Sequence, residues 1–156
     1  MIKIILSFML ILGIAYAQQN QKTNKEPIVI NADKLEYNNK ERLAIYSGNV
    51  DVKKGNFNLK ADVVKIYLDD KGDVSKIYAI GNVYFQKENK WGKSKEGEYY
   101  KDKNLIILKG NAEVHQDDNV VEGDEIQYYV DEERAIAISK SNRVRSVIFP
   151  KEKEGK

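Results

Sequence analysis

Apolar and polar positions alternate with a period of two through most of the chain. In "LAIYSGNVDV", residues Leu43–Val52, the side chains of Ala44, Tyr46, Val50 and Val52 share one parity, while Asn49 and Asp51 take the other. "KIYAIGNVYF" repeats the arrangement with Ile77, Ala79, Val83 and Phe85, and "LIILKGNAEV" with Ile106, Leu108, Ala112 and Val114. Successive side chains leave opposite faces of a strand, so this period, written in Val, Ile, Tyr and Phe, predicts half-buried β-strands. Turn residues punctuate the runs: "NNKE" at Asn38–Glu41, "KKGN" at Lys53–Asn56, "DDKGD" at Asp69–Asp73, "KENK" at Lys87–Lys90, "KDKN" at Lys101–Asn104, "QDDN" at Gln116–Asn119 and "DEER" at Asp131–Arg134. Beyond Ala17 no segment carries a helical period. The predicted class is all-β.

The pattern also repeats over a longer distance. Gly48, Gly81 and Gly110 are each followed by asparagine and recur at similar intervals. Ile66, Tyr99 and Tyr128 follow these glycines at one constant offset, and Tyr37 and Tyr99 precede Gly48 and Gly110 at another. The basic period is the interval from Gly81 to Gly110, about 29 residues, which lies in the range of stacked units. The interval from Gly48 to Gly81 is slightly longer, and "DDKGD" supplies the longer turn there. Further columns align under the same shift: Ala32, Ala61, Ser94 and Gly123; Leu35, Val64, Gly97 and Ile126; Val52, Phe85 and Val114. The chain is built on an internal repeat.

Each arm of the repeat is about ten residues long, near the upper end for a strand, and has a small residue near its middle. Glycine inside a strand marks a bulge or a corner. We therefore read each arm as two short strands bent at the small residue. The predicted fold is a repeat-built β-jellyroll of two facing antiparallel sheets of short, bent strands. The competing reading, glycine in ordinary hairpin turns, conflicts with alternation that stays in phase across all three glycines. Asn49, Asn82 and Asn111 are expected to hydrogen-bond backbone groups freed at the bend. The column Asp33, Asp62, Lys95, Asp124 is expected to serve the same corner.

"MIKIILSFMLILGIAYA" has one cation, Lys3, a short apolar run and a small-x-small ending. This predicts a secretory signal over residues 1–17 with cleavage after Ala17; the alternative is an uncleaved anchor. Residues 18–26 read as a flexible segment, 27–149 as the β domain, and 150–156 as a charged tail. Lysine and arginine total 26 with Lys3 included, against 24 acids. So balanced a charge argues against nucleic acid as a partner. Cysteine is absent, which excludes thiol chemistry and disulfides. His115 is the one histidine, expected at the surface, and no phosphate loop or nucleophile elbow occurs. No enzyme, cofactor or metal is expected.

"PIVINADKLEYNNKERLAIYSGNVDVKKGNFNLKADVVKIYLDD" resembles the OstA-like repeat domain of the LptA family of lipopolysaccharide-transport proteins. The matching pieces are the alternating run ending in Ala-Asp at Ile28–Asp33, the aromatic Tyr37 and Gly48-Asn49-Val50. A second round comes at Leu59–Asp62 and Gly81-Asn82-Val83. The similarity runs from about Pro27 to Val147. The third repeat departs from it: Lys90 and Gly92 stand where others are apolar, and Ser94 replaces alanine. The resemblance implies a periplasmic jellyroll that carries lipid A acyl chains in an apolar cleft. It also implies an LptC-like inner-membrane partner and the N-terminal domain of an LptD-like outer-membrane partner, joined end to end, with a head-to-tail homo-oligomer as a further form.

On that reading the acyl-chain lining is a set: Ile30, Leu35, Tyr37, Tyr46, Val50, Val52, Leu59, Val64, Ile66, Ile77, Val83, Phe85, Ile106, Leu108, Val114, Val121 and Ile126. Taken singly, each reads as core packing, since a small domain needs a core. A stacked-strand fold leaves an unpaired strand at each end, and such edges aggregate or find partners. The partner edges are expected at Ile28, Val29, Ile30 and Asn31, and at Arg143, Val144, Arg145, Ser146, Val147, Ile148 and Phe149. Lys87, Lys90, Lys93, Lys95, Lys101 and Lys103 cluster in sequence and could meet lipid phosphates. Interleaved acids favour solvated turns instead. Trp91 is expected to anchor packing. Two other readings stay open: a membrane-tethered LptC-like component, and a polysaccharide-acting β-solenoid enzyme.

Overall fold

The computed structural model describes residues 26–152. The expected signal at 1–17 and nearly all of the 18–26 segment lie outside the described residues. Ten strands follow in order: β1 (Ile28–Asn31), β2 (Lys34–Asn38), β3 (Leu43–Lys54), β4 (Phe57–Leu68), β5 (Val74–Lys87), β6 (Lys90–Tyr100), β7 (Leu105–Gln116), β8 (Asn119–Tyr129), β9 (Arg134–Ile138) and β10 (Arg145–Val147). All pairings are antiparallel, and no helix occurs among the described residues. Every turn predicted from sequence spans a junction between two consecutive strands, most of them overlapping a strand end. Several turns are closed by a residue at positive φ, among them Gly55, Glu88, Asn104 and Asp117.

The hydrogen-bonded order is β1-β3-β4-β5-β6-β7-β8-β10, with β2 also on β3 and β9 also on β8. The backbone ladder is thus one continuous sheet rather than two separate ones. It is folded along a crease, and strands β3 to β8 run through the crease unbroken. The crease is a line of bulges. Between β3 and β4 the register passes from Ser47↔Val63 to Val50↔Ala61, so Gly48 and Asn49 stand opposite Asp62 alone. The same shift recurs at Gly81-Asn82 and at Gly110-Asn111. A bulge bends its strand and sharpens the local twist, which turns each arm from one leaf to the other.

Glycine and asparagine are required there for specific reasons. Both take positive φ, +81° at Gly48 and +46° at Asn49, a region that only glycine enters freely and that asparagine tolerates better than most. A Cβ on Gly48 would also collide with Asp33, and one on Gly81 with Asp62. At Asn49 and Asn82 the side chain bonds an aspartate rather than the backbone groups expected. Asn82 Nδ2 donates to the Asp62 carboxylate at 2.9 Å, and Asn49 Nδ2 to Asp33 at 3.3 Å. The partner is an aspartate on the adjacent arm, because the left-handed backbone points the amide across the crease. At the third corner Lys95 takes the aspartate position beneath Gly110. At the fourth, Asp124 accepts the backbone N–H of Lys140 at 2.7 Å and that of Ser141 at 3.3 Å. Those backbone bonds hold its carboxyl below the usual range.

On each leaf, cross-strand partners share a face, so inward residues form rows. One leaf carries Leu35–Tyr46–Val64–Ala79–Gly97–Leu108–Ile126–Ala137 and, farther from the crease, Tyr37–Ala44–Ile66–Ile77–Tyr99–Ile106–Tyr128–Ala135. The other carries Ile30–Val52–Leu59–Phe85–Gly92–Val114–Val121–Ser146. Nearer the crease on that leaf lie the pairs Val50↔Ala61, Val83↔Ser94 and Ala112↔Gly123. Two apolar clusters fill the angle between the leaves. The first centres on Val50, Ala61, Val64, Ala79 and Val83. The second centres on Leu108, Ala112 and Ile126.

Candidate functional site, an apolar slot between two leaves

All seventeen residues expected as a lining set occupy the inward rows. Fifteen of them join the two clusters: Ile30, Tyr46, Val50, Val52, Leu59, Val64, Ile66, Ile77 and Val83 in the first, and Phe85, Ile106, Leu108, Val114, Val121 and Ile126 in the second. Leu35 and Tyr37 share the inward face on the edge strand β2 but belong to neither cluster. Leu35 is 57% exposed. Tyr99 and Tyr128 also face inward but stand outside the expected set, which treats them only as repeat markers; their parity already places them with Ile66.

The interior is layered by depth. Next to the crease, Val50, Val64 and Val83 are closed off almost completely. Farther out, Ile30, Val52, Leu59, Phe85, Val114 and Val121 on one leaf, and Ile66, Ile77 and Ile106 on the other, are only half-buried. Beyond the crease the inward rows of both leaves pack against the buried clusters yet keep partial exposure, and this incompletely covered apolar interior is the slot. Burial pushes the Tyr46 hydroxyl above its ordinary pKa, as expected for a phenol turned into such a space.

Strand β6 interrupts the lining. Its inward positions are Gly92, Ser94, Gly97 and Tyr99. The Ser94 hydroxyl is satisfied by the Glu96 carbonyl at 2.8 Å, so it presents no unpaired group to the slot. Phe85 lies across Gly92, where any Cβ would meet the ring and the Glu113 carbonyl oxygen. Gly97 sits between Val83 and Leu108 with room for a methyl group.

The outer face of the sheet carries different chemistry. His115 is not the simple surface residue expected. Its ring stacks on Trp91 with centroids 3.7 Å apart and 7° between planes, and its Nε2 contacts Glu113. Trp91 in turn lies 6.1 Å from the Tyr84 ring, so it anchors packing on the outside of the sheet. Burial opposes the Glu113 charge, but the contacts from His115 and Lys93 prevail and hold its carboxyl below the usual range. A second outer network joins Tyr78, Tyr100, Glu98 and Lys109. The Tyr100 hydroxyl donates to Glu98 at 2.9 Å and Lys109 Nζ donates to it at 2.8 Å.

The two edges end the sheet. Ile28–Asn31 forms β1, paired on one side only, and Ile28 and Val29 are about half exposed. At the opposite end only Arg145–Val147 of the expected edge segment is strand, paired to β8. Arg143 and Val144 precede it, while Ile148 and Phe149 follow it as exposed apolar side chains, with the Phe149 N–H bonded to Asn119 Oδ1 at 2.8 Å.

The sequence and the creased antiparallel fold have counterparts among known proteins. Residues 29–134 match the family described as LptA/(LptD N-terminal domain) LPS transport protein. The chain belongs to this family. Among curated LptA-family relatives, the lipopolysaccharide export system protein LptH of Pseudomonas aeruginosa is 28% identical over 91% of this chain and 90% of its own length. The export system protein LptA of Escherichia coli is 29% identical over 84% of this chain and 75% of its own. The LPS-assembly protein LptD of Salmonella typhimurium is 34% identical over 65% of this chain, a match spanning 12% of that protein. The crystal structure of LptH, described as the LptA-homologous periplasmic component of the lipopolysaccharide transport device of Pseudomonas aeruginosa, superposes with a TM-score of 0.71. It is 24% identical and covers 80% of this chain and 96% of that one, so the fold is shared.

Proposed function

We propose that this protein is a periplasmic lipopolysaccharide carrier. It shields lipid A acyl chains in the slot and bridges inner- and outer-membrane components through its edge strands. The observation that carries this reading is the partial exposure of the inward rows. A domain built only to fold would close its leaves over Val52, Leu59, Phe85, Ile66 and Ile77, whereas here each of these remains half-buried. Exposing an acyl chain of about a dozen carbons to water costs on the order of 10 kcal/mol, at about 0.8 kcal/mol per methylene. An apolar trough removes most of that barrier for each chain it accepts.

Family membership supports the same reading, because the relatives are named as lipopolysaccharide export and assembly proteins. The exposed edges β1 and β10 supply unsatisfied backbone groups, which a partner strand completes by main-chain hydrogen bonding. An LptC-like protein at Ile28–Asn31 and the N-terminal domain of an LptD-like protein at Arg143–Phe149 are the proposed partners, with another copy of this chain as an alternative occupant of either edge. Photo-crosslinkers at Tyr46 and Phe85 are expected to capture lipopolysaccharide in cells. Capture confined to outer-face positions such as Lys60 and Lys65 would refute the slot as carrier.

A further inference from the structure

On the slot side one leaf ends in a row rich in lysine. Ile28 pairs with Lys54, Lys54 with Phe57, Phe57 with Lys87, Lys87 with Lys90, and Lys90 with Gln116. Lys54 stands two positions outward of Val52, Lys87 of Phe85 and Lys90 of Gly92, so strand alternation sets all three on the slot side. Three ammonium groups therefore line one lip of the apolar slot, spread over four adjacent strands, or about 14 Å at the usual strand spacing. The facing lip is different in kind. Beyond the row of Tyr37, Ile66, Ile77, Tyr99, Ile106 and Tyr128 it ends in the pair Leu68↔Val74, and its nearby cations Arg42 and Lys101 are each ion-paired, with Asp70 and Asp73.

These lysines also differ from several on the outer face. Lys53 pairs with Asp51 and Lys93 with Glu113, each at 3.2 Å, and Lys109 with Glu98 at 2.8 Å. Lys54, Lys87 and Lys90 make no side-chain ion pair or hydrogen bond among the described residues. Of the acids around this lip, Glu88 is engaged by Asn56 and Asp117 by Asn89, while Glu26 lies against Gly55 beside Lys54. Lys87 and Lys90 directly oppose each other across a hairpin, an arrangement that like-charge repulsion makes unfavourable. The six-lysine cluster of the sequence is thereby dispersed. Lys93 belongs to the outer face, Lys95 to the crease, and Lys101 and Lys103 to the turn at the opposite rim.

We propose that Lys54, Lys87 and Lys90 form an anion-binding lip for the phosphorylated headgroup of an amphiphile whose acyl chains lie in the slot. The lip with unpaired cations and the facing lip, whose cations are already paired, together fix which way round the lipid rides. An ammonium group meets phosphate as a compact point charge, and bound phosphate relieves the Lys87–Lys90 repulsion. The inference rests on the carrier reading and specifies the headgroup and its lip.

The test compares bis-phosphorylated lipid A with its fully dephosphorylated counterpart on the full chain. Affinity is read from displacement of a fluorescent apolar probe at low and high salt. The triple variant K54Q/K87Q/K90Q is expected to bind the phosphorylated lipid about ten-fold more weakly, from three partly exposed ion pairs. It should bind the dephosphorylated lipid as the wild type does and lose the salt dependence. Lys90→Gln alone should give about a third of that effect on the logarithmic scale. Both variants should melt at or slightly above the wild-type temperature, which separates lost contacts from misfolding. Lys60→Gln with Lys65→Gln, on the outer face, should change nothing. Equal weakening toward both lipids, or no weakening, would overturn the lip while leaving the carrier reading intact. Inorganic phosphate bound alone with the same lysine dependence would overturn the lipid headgroup as its source. Failure of either lipid to displace the probe from the wild type would overturn the carrier reading and the lip together.

Discussion

The two apolar clusters are built from the same repeat and are not equivalent. The first draws on β1 to β5 and closes on Val50, Val64 and Val83; the second draws mainly on β7 to β9 and closes on Leu108, Ala112 and Ile126. Two of the first cluster's corners are tied by an asparagine–aspartate bond, whereas the first corner of the second half has Lys95 where the aspartate would be. Between the clusters lies β6, with glycine or serine at three of its four inward positions. A repeat can hold its backbone pattern constant and vary its interior freely, because the corner residues alone set the crease. The first half is consequently the better-packed part of the fold and the second half the more easily disturbed.

The largest disturbance is expected at Leu108. Leu108→Ala should cost about 3 kcal/mol by removing a buried side chain from a cluster that has few, measured by urea denaturation. Val64→Ala, in the denser half, should cost about 2 kcal/mol. Strand β6 offers a sharper pair. Gly92→Ala sets a methyl group against the Phe85 ring and 2.8 Å from the Glu113 carbonyl oxygen, and should cost about 1–3 kcal/mol. Gly97→Ala sets one 3.5 Å from Val83 and 3.8 Å from Leu108. It should be neutral or stabilise by about 0.5 kcal/mol and join the two clusters.

The corners separate the halves more finely. Asn82→Ala loses both a side chain suited to positive φ and the bond to Asp62, while Asn111→Ala loses only the first. Asn82→Ala should therefore be the more costly by about 0.5–1 kcal/mol in matched thermal melts. The smallest effect concerns pH. Glu113 has a depressed pKa in the folded state, so its contribution is present in full above the unfolded value near 4.5 and is lost as pH falls through the folded value. Glu113→Gln should therefore lower stability slightly at neutral pH and converge with the wild type as pH falls below about 4.5, which flattens the acid limb of the profile.

Much of this arrangement was legible before any coordinates. Period-two alternation placed all seventeen residues of the expected lining on the inward face, because a buried face tolerates no slip of register. The small-residue columns located the crease, since only glycine and its near substitutes suit a bulge there. What stayed hidden was pairwise. That Asn82 would reach Asp62 rather than backbone depends on the direction of a left-handed residue, which spacing does not encode. That His115 would stack on Trp91 depends on the β6–β7 register. The lysines of "QKENKWGKSKEGEYYKDK" looked like one group because sequence proximity conceals which side of a strand, and which end of a hairpin, each occupies.

Strands β3 to β8 pass through the crease without interruption, and this limits how far the leaves can part. A pair of separate sheets could part like the halves of a clam. Here six continuous backbones join the leaves, so gaping at one point demands that neighbouring arms flex as well. The width of the interior along its length is then governed by which side chains intrude, and Phe85 resting over Gly92 is the place where a single rotation would change it most.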